Sequence, residues 1–225
     1  MITIDFETQA IEERPKYPPE PVGVAIKYES NPSRYYAWGH PTGNNCTRAE
    51  AMTALERAWL SGEDLLFHNA KFDMDVAEIR CDMPRLAWDQ VHDTMFLAFL
   101  ADPHSSTISL KPLAERYLGL PPEEQDEVAG WLRAHGVITA KQGPGAFISQ
   151  APGDVAGRYA CGDVDRTHAL FQLLHKKIVD AGMEKAYDRE RRLLPILLQR
   201  AAGHPGGRAP AVHRRAALRE GAGAQ

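Results

Sequence analysis

The sequence lacks the features that mark membrane, secreted and zinc-binding proteins. It has no apolar run long enough to cross a bilayer and no basic and apolar leader. Its three cysteines, Cys46, Cys81 and Cys161, are isolated, and its nine histidines show no zinc spacing. We therefore expect reduced thiols, a cytoplasmic location and no membrane partner. Because the first apolar segment begins at Met1, we also expect no domain or cleaved signal before it.

An excess of positive charge is missing as well. There are 26 Lys and Arg against 30 Asp and Glu, which gives a net charge of −4 and a pI near 6.1. Proteins that bind nucleic acid tightly usually carry a basic patch. This balance argues against tight, nonspecific binding of nucleic acid, but it leaves weak binding at a small site open.

Enough apolar residues are present for one core. With 44% hydrophobic residues, the chain is predicted to form a single globular α/β domain over residues 1–200. Periodicity predicts strands over 1–7, 22–29, 33–38, 64–69 and about 88–92. It predicts helices near 46–60, 71–80, 94–101, 109–118, 122–135, 152–181 and 184–200. Residues 201–225 are rich in Ala, Gly and Arg without an apolar period, so we expect a disordered tail or a short helix near 211–220.

Three separate segments carry five residues that suit catalysis. In the first, a predicted strand places Asp5 and Glu7 on one face of the sheet. In the second, Asp73 falls in the first turn of a predicted helix, where unpaired N–H groups favour anions. In the third, Tyr159 and Asp163 are four residues apart on a long helix and share a face. Each segment alone suits an ordinary surface or capping role, but their order, element type and spacing together favour one site.

Four converging carboxylates require a positive partner, because their mutual repulsion would otherwise drive proton uptake or unfolding. Hard divalent cations prefer oxygen ligands, and Mg²⁺ fits best, with Mn²⁺ as a substitute. The sequence therefore predicts a divalent-cation site built from Asp5, Glu7, Asp73 and Asp163.

The three segments resemble the motifs of the DEDD superfamily of 3′–5′ exonucleases. These motifs are Asp-x-Glu on the first strand, Asn-x₃-Asp with Phe before the Asp, and Tyr-x₃-Asp on a late helix. Arg158 stands where another branch has His, so the chain resembles the tyrosine branch, which includes ribonuclease D, Werner-type exonucleases and the proofreading domains of family A DNA polymerases. Residues 92–98 and 109–119 are similar to helices of those proofreading domains, and 189–197 to the segment that leads into the polymerase domain. The resemblance covers roughly residues 1–200.

The resemblance implies a ribonuclease-H-like fold, in which a mixed five-stranded sheet is flanked by helices. It also implies that Asp5, Glu7 and Asp163 hold one ion, and that Asp5 shares a second ion with Asp73. Two such ions can stabilise the attacking and leaving oxygens of phosphodiester hydrolysis. Tyr159 would aim the attacking water, since its ordinary pKa of about 10 is high for a base.

Candidate substrate contacts lie beside these motifs. Thr8 is a candidate to meet the terminal nucleotide through its backbone N–H. Asn69 could bind a nucleotide or orient the turn, and Phe72 could stack on a base or pack in the core. Phosphate contacts are expected among Lys71, Lys111 and Arg166. The proline-containing loop 9–21 would border the pocket for the 3′ end.

The resemblance implies a single-stranded or frayed DNA 3′ end as substrate, with a DNA polymerase domain or replication proteins as candidate partners. Two alternatives stay open: an enzyme that trims RNA 3′ ends like ribonuclease D, and a non-catalytic module that binds nucleic acid. The helices around Asp93 and Lys111 favour DNA, and the presence of all four acids favours catalysis. Because the tail begins where the helix towards a polymerase should continue, we hypothesise a truncated proofreading module with a frame-shifted tail.

Overall fold

The structure, a computed structural model, describes residues 1–121 and 123–201. The predicted tail therefore lies outside the described residues, apart from Ala201. The strands of the described part are β1 (Ile2–Thr8), β2 (Pro21–Tyr28), β3 (Arg34–Ala37), β4 (Leu65–Phe67) and β5 (Val91–Asp93). Its α-helices are α1 (Arg48–Trp59), α2 (Ala70–Arg80), α3 (Thr94–Ala101), α4 (Leu110–Leu118), α5 (Glu123–Ala134), α6 (Gly153–Asp180), α7 (Glu184–Arg191) and α8 (Leu194–Ala201). None of these helices is long and apolar enough to span a membrane.

The strands form one mixed sheet in the order β3-β2-β1-β4-β5, which confirms the predicted five-stranded architecture. β1 runs antiparallel to β2 and parallel to β4, and β4 runs parallel to β5. The carboxyl ends of β1, β4 and β5 therefore meet at one edge of the sheet. Glu7, Asn69 and Asp93 all lie at or just beyond this edge, so the topology gathers distant parts of the chain there.

The two faces of β1 pack against different layers of helices. Ile2, Ile4 and Phe6 belong to a core shared with α1, α2 and α8. Thr3 points to the other face, where its hydroxyl lies 3.2 Å from Nδ1 of His168 on α6. Because side chains alternate along a strand, Asp5 and Glu7 face α6 as well.

Three predicted elements differ from the structure. The strand predicted over 64–69 ends at Phe67, because Asn69 adopts a left-handed conformation (φ 71°) and α2 begins at Ala70. The fifth strand is shorter and later than predicted, since residues 88–90 form a 3₁₀ turn. The single helix predicted over 184–200 is divided into α7 and α8. Pro195 explains the interruption, because it has no N–H to donate and its ring disfavours a continuous helix.

Glycines allow α6 to approach the sheet closely. A Cβ added to Gly153 would lie 2.6 Å from the backbone oxygen of Gly43 and 2.8 Å from the Cβ of Ala37. One turn later, a Cβ at Gly157 would lie 3.1 Å from the ring of Tyr35. The position of α6, and of the residues it carries to the site, therefore depends on the absence of side chains here.

We expect Gly153→Ala to destabilise the protein by about 1–3 kcal/mol, because the added methyl group meets fixed backbone atoms. Chemical denaturation of the full chain measures this change. Gly130→Ala on α5 is the matched control, since no described atom outside the adjoining residues and the backbone of its own helix lies within 4 Å of its added Cβ, and Ala has the higher helix propensity. Equal stability of the two variants would contradict the close packing of α6.

Candidate active site

Three of the predicted carboxylates converge between β1 and α6. One carboxylate oxygen from each of Asp5, Glu7 and Asp163 lies within 4.8 Å of the other two. Glu7 and Asp163 are each only 7% exposed, and Asp5 is half-buried. Side chains two residues apart on β1 point to the same face, so Asp5 and Glu7 both face α6, which carries Asp163. An all-oxygen donor set of this kind fits a hard divalent cation such as Mg²⁺.

Asp73 lies beside this group of three. Its Oδ1 accepts the backbone N–H of Phe6 at 3.1 Å, which ties the start of α2 to β1 between Asp5 and Glu7. The side chain is buried, and the Asp5 carboxylate is close enough to interact with it electrostatically. Asp73 therefore brings a fourth carboxylate from α2 to the side of Asp5, Glu7 and Asp163.

Burial and mutual repulsion raise the pKa values of these carboxyls. The pKa of Asp5 is raised mainly by burial and then by the Asp163 carboxylate, whereas Lys111 lowers it. The pKa of Glu7 is raised by burial and by Asp5. The pKa of Asp73 is raised by burial and Asp5, while the N–H of Phe6 opposes the shift. A divalent cation would favour the ionised form of all three, which supports the fit of the site to a metal.

Tyr159 stands one turn before Asp163 on α6, and Lys111 lies against both. The Lys111 ammonium donates to Oδ2 of Asp163 at 2.8 Å and sits 3.8 Å from the centroid of the Tyr159 ring. Burial, followed by the Asp163 carboxylate, raises the pKa of the Tyr159 hydroxyl well above its usual range. The hydroxyl is therefore protonated at neutral pH and can donate a hydrogen bond.

The other two predicted phosphate contacts are held by the protein itself. Arg166 is 6% exposed, donates to the carbonyl of Pro121 at 2.8 Å and lies 3.8 Å from Oδ1 of Asp163. Lys71 donates to the buried carboxylate of Asp75 at 2.8 Å. Both side chains are thus engaged in ion pairs with acids of the protein, and their role as phosphate contacts stays a prediction.

The predicted nucleotide contacts surround the edge of the sheet at different depths. Thr8 is buried, and its hydroxyl donates to the carbonyl of Gln9 at 2.9 Å. The side chain of Asn69 is exposed beside the start of α2. Phe72 is partly buried and packs against the core between the sheet and α1 and α2.

Asp93 is a structural residue whose function sequence reasoning missed. Its carboxylate accepts the backbone N–H of Asn69 at 3.1 Å and of Ala70 at 2.8 Å. It also caps α3 by accepting the N–H of Met95 at 2.7 Å. Asp93 therefore fixes the turn that carries Asp73. The available signal was the Asp directly before an apolar helical run, which is typical of an N-cap.

Gln9, which follows Glu7 by two residues, lines a cavity of about 360 Å³. It lies between loop 9–20, the start of β2 and a 3₁₀ turn before α6, and its lining includes Gln9, Glu12, Ser149 and Gln150. The loop is anchored to α2, since Arg80 donates to the carbonyls of Pro18 at 2.7 Å and Lys16 at 2.9 Å. The volume of the cavity is in the range of small-ligand pockets.

Comparison with known proteins identifies relatives by sequence. The sequence model of the 3′–5′ exonuclease domain of DNA polymerase A type matches residues 2–179. DNA polymerase I of Rhizobium leguminosarum is 31% identical over 111 residues, which are 49% of this chain and 10% of that protein. DNA polymerase I of Treponema pallidum (strain Nichols) is 29% identical over 148 residues, 65% of this chain and 13% of that protein. The chain thus spans a small part of the length of these polymerases.

Solved structures share the fold at low identity. Brucella melitensis NrnC with bound Mg²⁺ has a TM-score of 0.58 and 16% identity, covering 90% of this chain and 85% of that one. Trypanosoma brucei RNase D in a complex with GMP has a TM-score of 0.51 and 15% identity, covering 77% of this chain and 50% of that one. These neighbours confirm the predicted ribonuclease-H-like fold. The family match over residues 2–179, together with the polymerase relatives, leads to one conclusion: the chain belongs to the 3′–5′ exonuclease domain family of DNA polymerase A type and is a phosphodiester hydrolase.

Proposed function

We propose that this chain is a metal-dependent exonuclease of the tyrosine branch that releases nucleoside 5′-monophosphates from single-stranded or frayed DNA 3′ ends. The observation that carries the proposal is the convergence of Asp5, Glu7 and Asp163 within 4.8 Å. Tyr159 lies one turn from Asp163 on the same helix, and Asp73 is bonded to the same strand as Asp5 and Glu7.

In this mechanism the protein's residues position charge and water. Asp5, Glu7 and Asp163 would hold one divalent ion, and Asp5 with Asp73 would hold a second. When bound, the two ions supply Lewis-acid chemistry at the phosphodiester. Tyr159 orients the attacking water through its hydroxyl. Burial raises the pKa of this hydroxyl, which favours its protonated form and a role as hydrogen-bond donor.

The cavity and the net charge of the protein both suit hydrolysis at the 3′ end of a DNA strand. The cavity beside loop 9–20, whose lining begins at Gln9, would receive the terminal nucleotide. The net charge of −4 disfavours tight binding along a duplex. Weak binding suits a module that is delivered to a primer end by a polymerase domain or by replication proteins. We therefore propose a proofreading-type module with poor processivity in isolation.

An RNA 3′-end trimming enzyme is the second candidate, because the fold neighbours include an RNase D structure. The sequence relatives are DNA polymerases, which favours DNA. A non-catalytic binding module is disfavoured, since three acids converge and the fourth lies beside them.

The test is degradation of a 5′-labelled single-stranded DNA by the full chain, with Mg²⁺ or with EDTA. We expect a ladder of labelled strands that shortens from the 3′ end and requires the metal. The released, unlabelled products should be nucleoside 5′-monophosphates. An RNA of the same sequence serves as the comparison. Trimming of the RNA alone would move the assignment to RNA processing, and degradation in EDTA would contradict metal dependence.

A further inference from the structure

Lys111 enters the carboxylate site from a helix that contributes none of the acids. It lies on α4, and its side chain is 13% exposed. The ammonium bonds Oδ2 of Asp163 at 2.8 Å and stands 3.8 Å from the centroid of the Tyr159 ring. It therefore contacts one acid of the group and the residue that would aim the water.

The positive charge of Lys111 affects how strongly the carboxylates of Asp5, Glu7 and Asp163 can bind divalent cations. Arg166 lies 3.8 Å from Oδ1 of Asp163, and Asp73 lies beside the other three acids. Counted with them, four ionised carboxylates and two cations leave two negative charges, which still match one divalent cation. A fixed cation against Asp163 repels any second cation that uses the same carboxylate, and the repulsion is strong because the site is largely removed from water. The ammonium also attracts the face of the Tyr159 ring, an interaction that strengthens when both groups are desolvated.

We propose that Lys111 is a built-in counter-cation of this site, a positioning residue with two effects. It holds the Tyr159 ring beside Asp163, and it weakens the affinity of Asp5, Glu7 and Asp163 for a divalent ion in the absence of substrate. This inference rests on the proposed metal-dependent function. It assigns Lys111 primarily to the acids and to Tyr159, whereas the sequence pattern suggested a phosphate contact.

Mn²⁺ titration of the full chain without nucleic acid, followed by electron paramagnetic resonance, tests the inference independently of activity. Lys111→Met keeps the length of the side chain and removes its charge, so its Kd for Mn²⁺ should be about tenfold tighter than that of the wild type. Lys111→Arg should stay within about threefold of the wild type because it restores the charge. Lys176→Met, an exposed lysine paired with Asp180 on α6, is the control for loss of one distant positive charge.

The melting temperature in EDTA gives a second readout. Lys111→Met should melt several degrees lower than the wild type, because it removes one of the two cations that lie against the Asp163 carboxylate, and added Mn²⁺ should restore the loss. If Lys111→Met does not fold, Lys111→Gln takes its place, with folding judged by circular dichroism.

The outcomes separate the inference from the proposed function. Wild-type affinity for Mn²⁺ in Lys111→Met, with a raised KM for DNA, would overturn the inference and restore the phosphate contact. Weaker Mn²⁺ binding in Lys111→Met would also overturn it and leave Lys111 a structural support. A wild-type chain that binds no Mn²⁺ would instead overturn the metal assignment on which both rest.

Discussion

Asp163→Asn is expected to lower the rate of DNA hydrolysis by about 10³-fold or more. The substitution keeps the shape of the side chain but removes a charge from the group of three carboxylates. Lost metal stabilisation of the transition state amounts to several kcal/mol, and each 1.36 kcal/mol corresponds to a factor of ten in rate. Initial rates on a 5′-labelled single strand measure the effect.

Two controls make this result specific to the site. Asp180→Asn changes an exposed acid near the end of the same helix and should keep wild-type activity. Circular dichroism of Asp163→Asn should match the wild type, and its Mn²⁺ affinity should fall with its rate. Hydrolysis near the wild-type rate in a cleanly purified Asp163→Asn preparation would remove Asp163 from the metal site.

Tyr159→Phe is expected to lower kcat by about 10²–10⁴-fold, the usual range for a positioned proton donor or acceptor. Phe retains the ring that lies 3.8 Å from the Lys111 ammonium, so the packing of α4 on α6 should persist. The Mn²⁺ affinity should stay within about twofold of the wild type, because the hydroxyl is not part of the carboxylate group. Single-turnover rates at saturating DNA measure the loss.

Tyr117→Phe, a partly buried tyrosine on α4, provides the control for removal of one phenolic hydroxyl. A normal kcat in Tyr159→Phe would exclude the hydroxyl from the reaction. A loss of Mn²⁺ binding together with the rate would instead make Tyr159 part of the metal environment.

Local sequence patterns predicted much of the fold because they depend on short-range geometry. Alternation along the first strand put Asp5 and Glu7 on one face, and the structure has them both facing α6. The four-residue spacing of Tyr159 and Asp163 placed them one turn apart on α6. The same reasoning misjudged residues 184–200, where the effect of Pro195 on the preceding turn was overlooked.

Contacts between distant segments required the tertiary structure. The approach of Lys111 to Asp163 joins residues 52 positions apart, and the hydrogen bonds from Asn69 and Ala70 to Asp93 join two strand ends. No periodicity encodes such distances, because they depend on how closely helices pack on the sheet. The sequence by itself determined the five candidate catalytic residues and the element that carries each. Only the tertiary structure decided which charges meet, since side-chain packing and burial set those distances and the resulting pKa values.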